Sequence, residues 1–191
     1  MKEVALFVFD GLADWEIGLV TYEIQTRTNN KIITFGSSSN TIITGGGLKV
    51  IPDTTMTSLE LNKLSTVILP GGTMWEQEEP SGLKHIIKRI IDKNIPLAAI
   101  CAATLFLAKN NFLEHVKHTS NSKNYLLEKA GMYKGHENYQ VAPSVIDKNI
   151  ITANGQFPID FAANILKNID IYKEDTIEEF LWFWKQKNPS E

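Results

Sequence analysis

Cys101 is the only cysteine in the sequence. It lies between the apolar run Pro96-Leu97-Ala98-Ala99-Ile100 and the segment Ala102-Ala103-Thr104-Leu105-Phe106-Leu107-Ala108, which reads as a helix start. A cysteine at the end of a buried strand, on the turn into a helix, has the arrangement of a nucleophile elbow. Such a turn presents the sulfur at the sheet edge. The unpaired N–H groups and macrodipole of the helix N-terminus then favour a thiolate. The competing reading is a small buried hydrophobe, because free cysteine packs well among Ala and Ile.

Two other segments could serve that sulfur. Glu16, in Gly11-Leu12-Ala13-Asp14-Trp15-Glu16, follows the first apolar run, and its neighbour Ile17 suggests an inward setting. A carboxyl buried beside a thiolate is driven to its protonated form by desolvation and like-charge repulsion. As an acid it can donate a hydrogen bond to sulfur. The alternative for Glu16 is a solvated first-turn acid that favours the helix dipole. Gly71 and Gly72, in Pro70-Gly71-Gly72, could turn backbone N–H groups toward the sulfur and, with the N–H of Ala102, form an oxyanion hole. Without the cysteine they read as an ordinary turn.

A cysteine hydrolase usually places a histidine beside the sulfur as general base. The four histidines are His85, His115, His118 and His136. His85 reads as a surface residue of a helix. His115 and His118 bracket a short strand after the elbow helix and could approach the site, and His136 sits in a polar loop. The lone cysteine and scattered histidines lack the paired spacing of a zinc site. Gly45-Gly46-Gly47 has no following Lys-Ser/Thr and reads as a hairpin turn rather than a phosphate loop.

These groups need a scaffold, and the hydrophobic pattern supplies one. Strands are predicted at 4–9, 31–35, 66–69 and before Cys101, with a short one at 116–119. Hairpins are predicted at 41–44 with 48–51, and at 141–146 with 149–152. Helices are predicted from the cap Asp14 to about Thr26, with Trp15, Leu19, Tyr22 and Ile24 on the apolar face. Others span Leu83–Asp92, Ser122–Ala130, Pro158–Asn168 and Glu174–Gln186. Strands alternating with helices imply an α/β sandwich, a mostly parallel sheet covered on both faces. In such sheets ligands bind outside the carboxyl ends of the strands, where Glu16, Gly71-Gly72 and Cys101 all fall.

The chain of 191 residues suits a single domain, and no repeat or linker divides it. A net charge of −3 without a basic run gives no footing for nucleic acid. The N-terminal apolar stretch is too short to span a membrane, and one cysteine cannot form an internal disulfide, which suits a reducing cytoplasm. The aromatic run Phe180-Leu181-Trp182-Phe183-Trp184 reads as a helix buried against the sheet or a second subunit, or as a partner surface.

Together, Phe7-Val8-Phe9-Asp10-Gly11 with Glu16, Leu69-Pro70-Gly71-Gly72, Ala98-Ala99-Ile100-Cys101-Ala102 and Thr152-Ala153-Asn154-Gly155 resemble the ThiJ/PfpI superfamily, the DJ-one group of the class I glutamine-amidotransferase-like fold. The resemblance runs from Val4 to about Lys167. It implies a flavodoxin-like sandwich, Cys101 as the elbow nucleophile, Glu16 as its protonated partner, and Gly72 and Ala102 as backbone donors. It also implies a homodimer that needs neither metal nor organic cofactor. Where many members carry His, twenty residues after the cysteine, this chain has Asn121. Asn cannot act as a general base, though it can orient water or a carbonyl. Gly71, Asn121 and His118 are the further residues expected to line the site. The leading expectation is a cysteine-dependent hydrolase or lyase-like enzyme acting on a small carbonyl or amide compound. The alternatives are an oxidative-stress sensor whose cysteine becomes a sulfinate, and a binding or chaperone-like module using the aromatic C-terminus.

Overall fold

The structure, a computed structural model, describes residues 2–77, 79–169 and 174–185. Its strands are β1 (Glu3–Phe7), β2 (Lys31–Gly36), β3 (Ile42–Ile43), β4 (Lys49–Val50), β5 (Thr54–Thr55), β6 (Leu64–Leu69), β7 (Leu97–Ile100), β8 (Ser144–Asp147) and β9 (Ile150–Ala153). Its helices are α1 (Gly18–Arg27), α2 (Met74–Gln77), α3 (Leu83–Asp92), α4 (Ala103–Lys109), α5 (Lys123–Lys129), α6 (Pro158–Asn168) and α7 (Glu174–Lys185). Seven strands form one sheet in the order β5-β2-β1-β6-β7-β9-β8, parallel except for the antiparallel β8–β9 edge.

The continuous apolar runs become the middle of this sheet because both faces are covered. Every residue of β7 and β9 is buried, as are Val4 to Phe7 of β1. The chain moves from β1 to β2 on one side of β1 and later to β6 and β7 on the other. Right-handed crossovers therefore put α1 and α3 on opposite faces. The reversal point lies between β1 and β6, where a ligand crevice opens. Glu16, Gly71-Gly72 and Cys101 follow β1, β6 and β7, which are adjacent in the sheet.

Several local expectations are corrected. The first helix starts at Gly18, after a 3-10 turn at Asp14–Glu16. Asp14 does not cap it: its carboxylate accepts from Thr44 Oγ1 at 2.7 Å and from the Gly46 N–H at 3.1 Å, tying down the β3–β4 hairpin. That turn shifts the helical phase. Ile17, Val20, Glu23 and Ile24 are buried, whereas Trp15 and Tyr22 are 60% and 54% exposed. No strand forms at 116–119. His118 makes only an isolated bridge with Tyr139, because side chains take the neighbouring backbone donors: Asp147 accepts from Lys117 N–H and Thr152 Oγ1 from Thr119 N–H. The edge strand β5 and the short α2 have no counterpart in the sequence reading. In α7, Ile177 and Phe180 are buried, Phe183 is largely exposed, and Trp182 and Trp184 are partly exposed. Gln186, the expected helix end, lies outside the described residues.

The loop carrying Gly71-Gly72 is pinned from beneath. Trp75, fully buried, packs among Phe7, Phe9 and Phe106 with ring centroids 5.4–5.9 Å away. Its indole N–H donates to the Pro70 carbonyl at 2.8 Å. Trp75→Phe keeps a ring but leaves that buried carbonyl without its donor, so stability should fall by about 1–3 kcal/mol. Urea unfolding measures this, and an unchanged midpoint would show that the latch contributes nothing.

Candidate active site

Cys101 occupies the left-handed region, with φ of 58°. A side chain there costs about 1–2 kcal/mol, so the surroundings must hold it. The Cys101 N–H donates to the Ala153 carbonyl at 2.9 Å, and its own carbonyl accepts from the Thr104 N–H at 3.1 Å and Thr104 Oγ1 at 2.6 Å. With its proton spent there, the Thr104 hydroxyl accepts from Ser120 Oγ at 2.7 Å. The elbow is thus fixed to the end of β9, to the first turn of α4 and to the segment leading into Asn121.

Two glycines make room for the sulfur. A Cβ on Gly71 would sit 2.8 Å from Cys101 Cβ and 2.5 Å from Glu16 Oε2, and one on Gly155 would sit 2.8 Å from the sulfur itself. Any side chain at either position would displace the group it touches.

Glu16 is 1% exposed. Its Oε2 accepts from the Gly71 N–H at 2.7 Å, while Oε1 is buried without a hydrogen-bond partner among the described residues. Burial is the largest influence on this carboxyl and pushes its pKa up, against the Gly71 hydrogen bond and the Cys101 side chain. Burial likewise leads in raising the Cys101 thiol, to about 11, with the Glu16 charge next. Asn121 and the Ala102 N–H pull the other way. Two adjacent acids that each resist ionisation titrate as a coupled pair. When Glu16 holds a proton, the repulsion disappears and the bare Oε1 becomes a donor.

Asn121 stands at the sulfur, with Nδ2 3.3 Å from Sγ. The amide orientation is set by chemistry: Oδ1 accepts from the Gly155 N–H at 3.0 Å, so the NH2 must face Cys101. The Asn121 carbonyl in turn accepts from Asn154 Nδ2 at 3.0 Å.

The expected backbone donors differ in what they have left to give. The Gly71 N–H is committed to Glu16, whereas the Gly72 N–H has no acceptor among the described residues and the Ala102 N–H faces the sulfur. Gly72 holds φ of 147°, and a Cβ there would meet the Phe9 ring at 2.7 Å. The expectation that His118 lines the site is corrected. Its Nδ1–H donates to the Val116 carbonyl at 2.7 Å, its Nε2 accepts from Tyr133 Oη, and its ring stacks edge-on to Tyr133 and Tyr139. Burial pushes its pKa down, holding it neutral. His85, His115 and His136 are exposed. Thr104, Ser120, Asn154 and Gly155 were given no role by sequence reasoning. The first two are ordinary types sixteen residues apart, and only the late Asn-Gly before a helix left a trace.

The family model described as DJ-1/PfpI matches residues 2–168. Two relatives from Bacillus subtilis (strain 168) are named uncharacterized protease YoaZ, 33% identical over 98% of this chain and 93% of that protein, and uncharacterized protease YdeA, 34% identical over 95% and 90%. The crystal structure of the DJ-1 superfamily protein Atu0886 from Agrobacterium tumefaciens is 29% identical, has a TM-score of 0.89, and matches over 97% of this chain and 99% of that one.

The buried carboxyl makes stability depend on pH. Above the ordinary value of 4.5 the unfolded chain ionises Glu16 while the folded chain resists, so unfolding releases a proton and becomes easier as pH rises. Glu16→Gln removes this, so its stability relative to the parent should climb from pH 4.5 toward neutrality, by about 1.4 kcal/mol per unit of pKa shift. Unfolding midpoints across that range check it, and a gap that stays flat would refute the burial argument.

Proposed function

The chain belongs to the DJ-1/PfpI family, and from that premise we propose a cysteine-dependent enzyme that adds its Cys101 sulfur to the carbonyl carbon of a small aldehyde or ketone. The observation carrying this reading is the set of groups at the sulfur: a buried acid with a free oxygen, an amide donor and backbone N–H groups, with no histidine. In the reactive form Glu16 holds the proton and Cys101 is the thiolate. The thiolate forms the S–C bond, the carbonyl π pair moves onto oxygen, and the N–H groups of Gly72 and Ala102 hold the resulting oxyanion. Glu16 then gives its proton to that oxygen, leaving a neutral hemithioacetal and a carboxylate that can take a proton back.

Addition to an aldehyde or ketone has no leaving group. Peptide or amide cleavage expels an amine that must be protonated, a task His performs in cysteine hydrolases. Asn121 and the buried His118 do not supply it, which favours the carbonyl substrate over the protease role in the relatives' names. The same donors support a second reading as an oxidation sensor. Two molecules of hydrogen peroxide each pass one oxygen to the sulfur and leave as water, and the sulfinate oxygens accept from Asn121, Ala102 and protonated Glu16.

The protein acts as a homodimer in this reading. Trp15, Ile43, Leu48 and Ile51 are 51–70% exposed, and Trp15 and the hairpin meet through Asp14. Trp15→Glu should shift sedimentation toward the monomer, and an unchanged sedimentation coefficient would remove this face as the contact. Among the described residues no helix is long and apolar enough to cross a membrane, and a lone thiol suits a reducing compartment such as the cytoplasm.

The rate of Cys101 alkylation by iodoacetamide against pH tests the proton assignment. If Glu16 holds the proton and donates it to the sulfur, that hydrogen bond with those of Asn121 and Ala102 outweighs burial and brings the inflection below the ordinary thiol value of 9.0; if Glu16 stays ionised, burial and its charge hold the inflection near 11. Glu16→Gln should keep the low inflection and Glu16→Ala should raise it. Parent inflection at 9.0 or above would end the proposal.

A further inference from the structure

Next to Asn121, whose Nδ2 lies 3.3 Å from the sulfur, is a cavity of about 340 Å³ that Cys101 itself does not line. Tyr139, Val141, Ala142, Pro143 and Phe157 supply an apolar side, and Asn154 with the 119–123 segment, which includes Lys123, supplies a polar one. Two residues join it to the cysteine. Asn121 lines the cavity and touches the sulfur, and Asn154 lines it while its neighbour Gly155 lies against both the sulfur and Asn121.

The walls are tied together rather than merely adjacent. Thr119 Oγ1 donates to the Ala142 carbonyl at 2.9 Å, Gln140 N–H to the His118 carbonyl at 2.7 Å, and Tyr139 Oη to the Ser120 carbonyl at 3.3 Å. The floor is held by Asn154 N–H on the Pro143 carbonyl at 3.1 Å and Phe157 N–H on the Asn154 carbonyl at 3.0 Å. A concave apolar space with fixed walls and a polar edge beside a nucleophile has the make-up of a ligand subsite.

Resting on the carbonyl-addition reading above, we infer that this cavity receives the apolar substituent of the aldehyde or ketone that Cys101 attacks, and so selects branched-aliphatic or ring-bearing carbonyl compounds over the smallest ones. Asn121 forms the threshold. One face of its amide contacts the sulfur where the carbonyl carbon arrives, and the same residue begins the apolar wall where the substituent goes. The lining offers dispersion contact to a hydrocarbon group, which would in turn cover the exposed Val141 and Phe157 side chains.

Alkylating probes of graded size test this on the full chain without a known substrate. Cys101 is treated with iodoacetamide and with N-benzyl-iodoacetamide, each rate being divided by that with glutathione. The corrected benzyl-to-parent ratio should exceed unity by about tenfold, the effect of burying a ring-sized apolar group worth roughly 1.4 kcal/mol at the transition state. Ala142→Trp, which fills the cavity, and Phe157→Ala, which opens it, should both lower that ratio. Met132→Trp, on an 87% exposed residue outside the site, should leave it unchanged. Because the readout is a ratio, a variant that merely slows Cys101 overall does not imitate the effect, and thermal melts identify a variant that has not folded. A ratio near one in the parent, as when a second copy of the chain covers the cavity, overturns the subsite. A parent inflection at the ordinary thiol value overturns the carbonyl chemistry instead, whatever the ratio.

Discussion

The left-handed backbone at Cys101 is the constraint around which the rest of the site is arranged. It turns the side chain away from the sheet and into the crevice beyond β6, β7 and β9, at a conformational cost no glycine is present to relieve. That turn explains why Gly71 and Gly155 lack side chains, since each would place a carbon 2.8 Å from an atom of the cysteine. It also explains the hydrogen bonds from Thr104 and to Ala153, which over-determine a conformation the chain would otherwise leave. A lone cysteine kept for packing would need none of this.

Placing Glu16 against such a sulfur is electrostatically unfavourable when both groups are charged. Among the described residues no cation stands against the pair to relieve this. The fold supplies neutral donors instead: the Gly71 N–H for the carboxyl, and Asn121 with the Ala102 N–H for the sulfur. Neutral donors stabilise an anion without fixing where the last proton rests, so the pair keeps a choice that a salt bridge would have removed.

The central strands were legible because burial on both faces leaves a continuous apolar signature, and Leu83–Asp92 because its isoleucines recur at helical spacing. Cys101, Glu16 and the glycine pair were legible because each type falls beside a strand end. The phase of α1 was not. A 3-10 turn of three residues rotates everything after it, and nothing local announces that Asp14 will be claimed by Thr44, thirty positions on. His118 failed for a related reason: beyond the local Val116 carbonyl, its partner Tyr133 is brought to it by the tertiary fold, and a histidine's type gives no direction. The Thr104–Ser120 pair was invisible because hydroxyls of that kind are common and their meeting depends on how α4 and the 118–121 segment cross.

The turn before α1 carries a consequence of its own. Its three residues point three ways: Asp14 to the hairpin, Trp15 to solvent, Glu16 to the sulfur. They share one short stretch of backbone, so a single peptide separates the exposed indole from the buried acid. The turn thereby joins the molecular surface, the hairpin and the crevice at one three-residue point.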